Sequence, residues 1–165
     1  MTRRTPAELD LLMKHLGTDL ELRFLSTSGM FADADLQTHR QTSHPAFTAP
    51  VDLAPVAGIP AAVQMLVNRL KAGKGELAAL GHPEYGSRHH ELVGEPNVER
   101  TRNLVKLYVL EALSQEPRIE DILECRVYAP HDPPRDQVRI ELQIRLLDQP
   151  NPLNLVVPFS LAVGV

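Results

Sequence analysis

The stretch from His82 to Val127, HPEYGSRHHELVGEPNVERTRNLVKLYVLEALSQEPRIEDILECRV, decides the fold of this chain. It begins with a loop containing glycine and proline, continues through a segment with helical spacing of apolar residues, and ends in alternating apolar and polar residues. Asn97 is predicted to cap the helix, and Pro117 disfavours the helical conformation for Glu116. The stretch therefore predicts a loop, a helix and a strand in that order.

Two helices with one apolar side each are predicted in the middle of the chain. The helix inside the stretch has its apolar side at Val98, Thr101, Val105, Val109 and Ala112, flanked by Leu104, Tyr108 and Leu113. An earlier helix begins at Gly58-Ile59-Pro60 and ends at Gly73 and Gly75. Its apolar stripe is Ile59, Ala62, Val63, Leu66, Val67 and Leu70, and the residues predicted to face solvent are Gln64, Asn68, Arg69 and Lys71.

The carboxy-terminal part predicts a mainly antiparallel sheet, because apolar and polar residues alternate with a period of two. Leu123, Cys125 and Val127 share one face of a first strand. The second strand has its apolar face at Val138, Ile140, Leu142, Ile144 and Leu146, and the third at Leu153, Leu155, Val157, Phe159 and Leu161. Pro158 lacks an N–H donor, so the third strand is predicted at an edge of the sheet.

The first 50 residues are predicted to form an amino-terminal extension to a domain that spans residues 51–165. A short amphipathic helix runs from Thr5 to Gly17, and a strand covers Asp19 to Ser26. Periodicity is lost from Thr27 to Pro50 apart from a weak strand at Asp35 to His39, which predicts a surface loop or an arm that orders on a partner. A brief strand is predicted from Val51 to Val56. The fold class is α+β, with a small sheet, two amphipathic helices packed on it, and a short amino-terminal helix.

Composition excludes several classes of function. The 165 residues carry a net charge of -4, which argues against a domain that neutralises phosphates, so no nucleic acid is expected as a partner. No run of about 18 apolar residues predicts a membrane span, and no secretion signal opens the chain. The one cysteine, Cys125, permits no intramolecular disulfide and is predicted to be a small core residue. The expected location is the soluble interior of the cell.

A metal site is not expected from the histidine-rich patch, which contains His82, Glu84, His89, His90 and Glu91. Neighbours such as His89 and His90 point in different directions in a helix or a strand, and no HExxH motif is present. These residues are predicted to be surface or turn residues. No cofactor is expected either, since the chain has neither a phosphate-binding loop nor a dinucleotide-binding fingerprint.

An enzyme is not favoured, although candidate groups exist. A glycosidase needs two carboxyl groups held roughly 5–10 Å apart, and the acids available are Glu91, Glu95, Glu116 and Asp121. No spacing among them fixes a pair. Ser87 lies in YGSR, which is not the GxSxG nucleophile motif. The chain is therefore predicted not to be an enzyme.

Glu116-Pro117-Arg118 places an acid and a base on either side of a proline, between a helix end and a strand start. Proline keeps the turn rigid, and a guanidinium can bind a carboxylate through two parallel hydrogen bonds. Two readings stay open from spacing alone: an ordinary helix stop with a surface ion pair, or a rigid corner that binds a partner.

These residues resemble the baseplate sheath-initiator (wedge) family of contractile tails, which occurs in phages, R-type pyocins, type VI secretion systems and extracellular contractile injection systems. Glu116-Pro117-Arg118 matches the EPR motif of that family, and Tyr85-Gly86-Ser87 matches its loop before the helix. The resemblance is tight from Lys71 to Val127 and topological after that. It does not cover the first 50 residues.

The resemblance implies a non-enzymatic part of a baseplate, assembled in the cytoplasm. The EPR region would dock on the core bundle of the wedge proteins. The last strand, with Leu153, Leu155, Val157, Phe159 and Leu161, would start a sheet that the first ring of sheath subunits extends. Tube or hub proteins are further expected partners, and several copies, about six, would occur per particle. The competing interpretation is a baseplate lysozyme that cleaves peptidoglycan.

Overall fold

The computed structural model describes residues 16–27, 30–40, 51–131 and 135–163. Contacts between residues divide the chain into two compact units, Met1–Gln64 and Met65–Val165. The helix predicted from Thr5 lies outside the described residues except for its end at Leu16, which is helical and buried. The domain boundary predicted after residue 50 stays a prediction.

The first unit contains six short strands that pair as three antiparallel ribbons. The strands are β1 (Thr18–Leu20), β2 (Leu22–Thr27), β3 (Met30–Leu36), β4 (Thr38–Arg40), β5 (Val51–Leu53) and β6 (Pro55–Ala57). Here β1 pairs with β6, β2 with β3 and β4 with β5. The three ribbons meet where Glu21, Gln37 and Ala54 separate consecutive strands. Glu21 N–H donates to Ala54 O, Ala54 N–H to Gln37 O, and Gln37 N–H to Glu21 O, which closes a ring of three backbone hydrogen bonds.

Two predictions for this unit are wrong in detail. The strand predicted over Asp19 to Ser26 is two strands, because the chain leaves one ribbon and enters another at Glu21. The segment predicted to be a loop from Thr27 contains β3 and β4, and residues 41–50 lie outside the described part. The strand β3 pairs with the preceding strand β2, and β4 pairs with β5, so the backbone is satisfied here although the side chains show no sustained period of two.

Gln64 is buried, with 5% of its surface exposed, although the sequence predicted that it faces solvent. Its Oε1 accepts from Leu22 N–H at 2.7 Å, and its Nε2 donates to Leu20 O at 2.8 Å. The side-chain amide therefore satisfies the backbone on both sides of the break at Glu21. A buried amide is stable in this position because both of its ends have partners.

The second unit contains the helices and the main sheet. Helix α1 (Ile59–Lys71) begins in the first unit and ends in the second. It is followed by two short 3₁₀ helices, η1 (Ala78–Leu80) and η2 (Arg88–Leu92), and by α2 (Glu99–Ser114). The sheet has the order β7-β8-β9, with β7 at Ile119–Tyr128, β8 at Gln137–Leu146 and β9 at Leu153–Ser160, all antiparallel.

The core of this unit is aliphatic, and the predicted apolar face of β8 is confirmed. All five of its members are at most 3% exposed: Val138, Ile140, Leu142, Ile144 and Leu146. Burying an aliphatic side chain of this size contributes about 1.5–3 kcal/mol. The α+β fold class is confirmed, with small antiparallel sheets and two helices. No helix among the described residues is long and apolar enough to cross a membrane.

Two residues differ from their predicted faces, and a third differs from its predicted role as a helix cap. Leu123 is 39% exposed, because a β-bulge between Ile122 and Glu124 inserts it as the extra residue of β7. Val98 is 48% exposed, since it precedes the first turn of α2. Asn97 does not cap the helix: its Nδ2 donates to the carbonyls of Arg135 and Gln137 at the start of β8. Asn97 thus joins the helix entry to the sheet.

Candidate functional site

The loop that contains Tyr85, Gly86 and Ser87 is tied to the end of α1 by backbone hydrogen bonds. Ser87 N–H donates to Ala72 O at 2.9 Å, and Ser87 O accepts from Lys74 N–H at 3.2 Å. This arrangement extends the last turn of α1 into a short parallel bridge with the loop. The carbonyls at the end of the helix are therefore satisfied by the loop rather than by solvent.

Gly86 occupies a position in this loop where no side chain fits. Its φ is 98°, a conformation that glycine adopts without strain. A Cβ at this position would overlap with the backbone of Gly73 and with Ala72 O. The predicted loop motif therefore has a physical reason for its glycine, which is the close approach of two backbones.

Ser87 and His89 form a buried polar pair next to the loop, with 1% and 2% of their surfaces exposed. Ser87 Oγ donates to Tyr108 O at 3.2 Å, so it accepts from His89 Nδ1 at 2.8 Å. The proton of neutral His89 is thereby assigned to Nδ1. Burial, with a smaller contribution from the charge of His90, lowers the pKa of His89 to about 3. The prediction of a surface histidine is wrong for His89.

The other histidines do not join His89 in a metal site. His82 is exposed, and His90 Nε2 donates to Leu70 O at 2.8 Å. The rings of His89 and His90 lie 4.2 Å apart, and both contact Phe159 edge-on. Within the described ranges, no group of three or more potential ligands is placed to hold a metal ion.

The corner formed by Glu116, Pro117 and Arg118 is held by a buried carboxylate. Glu116 is only 6% exposed, and its Oε2 lies 3.3 Å from Arg69 Nη2. Its Oε1 accepts from Arg118 N–H at 3.3 Å and lies 3.6 Å from Arg118 Nε. The Arg118 side chain is 38% exposed. The corner therefore has one buried acid, an inner arginine, and an outer arginine that reaches solvent.

Arg69 is the residue of this site that the sequence analysis missed. It was predicted to face solvent, but only 9% of its surface is exposed. Its guanidinium lies over the ring of Tyr85, with Cζ 4.6 Å from the ring centroid, while Nη2 binds Glu116. Arg69 thus brings the loop motif and the EPR motif together. A charged residue next to an apolar stripe ordinarily faces solvent, so the sequence carries no signal for this contact.

The apolar side chains predicted for the last strand face the core of their own unit. Leu155, Val157, Phe159 and Leu161 are at most 8% exposed, and Leu153 is half-buried. Phe159 contacts the ring of His89, with centroids 4.5 Å apart. The four buried side chains are thus unavailable to a partner. The backbone edge of β9 and its exposed side chains, Asn154 and Val156, can reach another chain.

The orientation of the β9 backbone follows from its hydrogen bonds with β8. Leu161 N–H donates to Asp136 O at 2.8 Å, in line with the register of the two strands. Because bonding alternates along an antiparallel ladder, odd-numbered residues of β9 face β8 and even-numbered residues face away. Pro158 is one of the outward residues and costs the ladder no bond. No other strand of the described residues pairs with this edge, which offers N–H groups at Asn154, Val156 and Ser160.

The opposite edge of the sheet, at β7, has a different character. Two bulges interrupt β7, between Ile119 and Asp121 and between Ile122 and Glu124. Its exposed residues include four charged ones, Glu120, Asp121, Glu124 and Arg126. Bulges and charges are the features that prevent another strand from pairing with an edge. By contrast, β9 has no charged residue and pairs with β8 without a bulge.

The carboxylates considered for catalysis lie in different surroundings. Glu91 is bound by Arg88 at 3.1 Å, which holds the pKa of Glu91 below its ordinary value. Glu116 lies next to two arginines, Asp121 is exposed on β7 opposite Arg145 in the backbone register, and Glu95 is exposed. The general acid of a glycosidase needs a raised pKa, and the shift found for Glu91 has the opposite sign.

Comparison with solved structures gives an informative likeness. No family model matches the chain, and no curated protein matches it. A crystal structure from Geobacter sulfurreducens, of a protein with the provisional name tail lysozyme, is 25% identical and has a TM-score of 0.53. The likeness covers 62% of this chain and 90% of that one. The chain is therefore similar in fold and sequence to a protein related to phage tails.

Proposed function

We propose that the chain is a structural baseplate component of a contractile tail or injection system, which docks on the wedge proteins and nucleates the sheath by strand addition. The observation that carries the proposal is the regular, uncharged free edge of β9, since the other edge of the same sheet is bulged and charged. An unprotected edge ordinarily promotes aggregation. Such an edge is expected in a protein whose partner adds a strand to the sheet.

Strand addition at β9 requires a partner whose backbone matches the outward groups of Asn154, Val156 and Ser160. Pro158 offers a carbonyl but no N–H, so the partner strand has one acceptor without a donor opposite it. Every register leaves one carbonyl of the partner opposite Pro158, so the side chains of the two strands would set the register. We expect the first ring of sheath subunits to supply this strand.

Docking on the wedge proteins is assigned to the corner at Glu116. Arg118 is partly exposed; Glu116 accepts from its backbone N–H, and its Nε lies 3.6 Å from Glu116 Oε1. The guanidinium therefore stays close to the corner while it remains accessible to a partner. In this proposal the particle is assembled in the cytoplasm, with several copies at the baseplate and with tube or hub proteins nearby.

The choice of edge is tested by cross-linking in assembled particles. Val156→Cys on β9 is expected to cross-link to the sheath protein, and the matched variant Arg126→Cys on β7 is not. The native Cys125 is buried and gives the background reaction. Cross-linking from Arg126→Cys alone would move the acceptor edge to β7. Complete sheaths with no cross-link from either variant would refute strand addition.

A second candidate function is peptidoglycan cleavage, which the name of the Geobacter sulfurreducens protein favours. The lowered pKa of Glu91 does not favour a role as the general acid. A turbidity assay on purified peptidoglycan distinguishes the two functions. We expect no clearing by the purified chain, and clearing that is lost in Glu91→Gln or Glu116→Gln would establish an enzyme instead.

A further inference from the structure

The three ribbons of the first unit repeat one short motif where they meet. Each strand that runs into the ring of backbone hydrogen bonds ends in Asp-Leu, and the next residue is a ring member. The three copies are Asp19-Leu20-Glu21, Asp35-Leu36-Gln37 and Asp52-Leu53-Ala54. Because each ring member donates to one neighbour and accepts from the other, the copies occupy equivalent places around the ring. The repeat therefore brings three leucines to one junction.

The strand register puts these leucines on the same face of the junction. Side chains two residues apart along a strand point to the same side, and so do the side chains of paired residues. The pairs that flank the ring are Leu20 with Pro55, Leu22 with Leu36 and Thr38 with Leu53. These six residues form a closed circle, the leucine face, in which five side chains are apolar. The ring members Glu21, Gln37 and Ala54 belong to the reverse side.

The leucine face is accessible, whereas the reverse side of the junction contacts α1. Leu20, Leu36 and Leu53 are 43%, 44% and 38% exposed. On the reverse side Ala54 is buried, and Asp19 Oδ2 accepts from Gln64 Nε2 of α1 at 3.2 Å. Exposed aliphatic side chains that lie together, rather than singly, mark a surface for contact with another molecule.

Acidic groups lie beside the leucine face and restrict what can cover it. The six strands and the ring residues contain five acids and two arginines, which gives a net charge of −3. Asp19 Oδ1 accepts from Leu20 N–H at 2.8 Å. Asp52 Oδ1 accepts from Leu53 N–H at 2.8 Å, so carboxylates lie directly next to two of the leucines. A second copy of the chain would bring like charges together, and the complementary surface is apolar at its centre and basic at its rim.

We propose that the leucine face binds an amphipathic helix of a partner protein, with aliphatic residues on its apolar side and lysine or arginine on its flanks. The size of the face agrees with one helix. The strands β1, β4, β5 and β6 have three residues each and so span roughly 10 Å, and an α-helix with its side chains is about 10–12 Å wide. This inference goes beyond the proposed function, because neither β9 nor the corner at Glu116 takes part in it.

A synthetic helix serves as the probe. It is a fluorescent peptide of about four helical turns, with leucine on one side and lysine on the other, and a peptide with glutamate in place of lysine is the control. Anisotropy with the full-length chain should show saturable binding of the leucine–lysine peptide only. Leu36→Ser should weaken this binding at least ten-fold, and Leu20→Ser and Leu53→Ser, at the equivalent positions, should do the same. Leu107→Ser changes a leucine of α2 that is 57% exposed and should leave binding unchanged.

The contribution of charge is tested with Asp52→Asn, whose side-chain oxygen can still accept from Leu53 N–H. Binding should weaken about three-fold at low salt and change little in about 0.5 M NaCl, where surface charges are screened. Glu120→Gln, at an exposed acid of β7, is the matched control and should bind normally.

Two results with the peptides would overturn the proposal: equal binding of the leucine–glutamate peptide, or binding that Leu36→Ser leaves unchanged. Sedimentation velocity and vesicle flotation of the chain alone test the other occupants. Dimers that Leu36→Ser abolishes would assign the leucine face to a second copy of the chain. Binding to phosphatidylcholine vesicles that Leu36→Ser abolishes would assign it to lipid, and either result would also overturn the proposal.

Discussion

The charged groups of the corner at Glu116 have partners within the chain, whereas the outward backbone groups of the β9 edge have no strand partner among the described residues. At the corner, a carboxylate that is 6% exposed is enclosed by two arginines, and the neighbouring loop is bound to the end of α1 by its backbone. At the edge, outward N–H groups of β9 have no strand partner among the described residues. The comparison teaches that tertiary contacts already pair the charged groups of the corner, whereas the proposed function assigns the backbone groups of the edge to another strand.

The comparison predicts that the loop beside the corner is where a small change is most damaging. Gly86→Ala adds a methyl group that overlaps with the backbone of Gly73 and strains a φ of 98°. We expect a loss on the order of 3–5 kcal/mol in the free energy of unfolding. Gly81→Ala is the matched control, since its φ is 87° but nothing lies within 4 Å of an added Cβ. It should lose only about 1 kcal/mol. Equal losses in urea denaturation would contradict the close packing at Gly86.

Removal of the buried carboxylate of Glu116 should cause the next largest loss in the free energy of unfolding. Glu116→Gln leaves Arg69 buried without its ionic partner, which typically costs about 3 kcal/mol or more. The control Glu84→Gln breaks the pair with Lys74, in which the acid is 72% exposed, and should cost less than about 1 kcal/mol. Chemical denaturation of both variants gives the comparison. A loss below 1 kcal/mol for Glu116→Gln would show that the corner is a surface pair after all.

The buried histidine beside the loop predicts a dependence of stability on pH. The pKa of His89 is about 3 in the folded chain and near 6.5 when unfolded, so the unfolded state binds the extra proton first. The contribution of His89 is complete above about pH 6.5 and is lost as the pH falls towards 3. The expected slope is about 1.4 kcal/mol per pH unit within that window.

The measurement is urea denaturation between pH 6 and pH 4 in two variants. His89→Gln should have lower stability at pH 7 but a shallower slope, because the titrating group is gone. His82→Gln changes an exposed histidine and should retain the slope of the original chain. An unchanged slope in His89→Gln would assign the pH dependence to other groups.

Replacement of Arg118 should reduce assembly strongly while it changes the free energy of unfolding little. Its side chain is 38% exposed and its ion pair with Glu116 is long, at 3.6 Å. Arg118→Ala should therefore cost about 1 kcal/mol or less, while the number of sheathed particles falls at least ten-fold. Arg126→Ala, on the charged edge of β7, is the control and should affect neither quantity. Normal sheathed particles from Arg118→Ala would exclude docking through this arginine.

A substitution at the β9 edge should have the smallest effect on the free energy of unfolding. Val156→Pro removes one outward N–H that β8 does not use, so we expect a change within about 1 kcal/mol. Electron microscopy of particles should nevertheless show baseplates and tubes without sheath. Val156→Thr keeps the N–H and should form complete sheaths. Deletion of the whole strand is a poorer test, because Leu155, Val157 and Phe159 belong to the core.

The predicted elements of the second unit agree with the structure where periodicity carries the information. The buried face of β8, the edge position of β9, and the end of α2 before Pro117 were all predicted. The candidate site was predicted as two separate motifs. That the motifs meet was not predicted, because their contact depends on Arg69, and nothing in the spacing of α1 distinguishes a buried arginine from an exposed one.

By itself, the sequence determined the α+β class, the limits of the two helices, and a last strand that must lie at an edge because it contains Pro158. These properties are local, since they depend on residue spacing and on the missing N–H of proline. Only the tertiary structure decided that Gln64, Arg69 and His89 are buried, that Leu123 is a bulge residue, and that β7 is the protected edge. Each of these depends on a partner distant in the chain, and such pairings leave no period in the sequence for a reader to find.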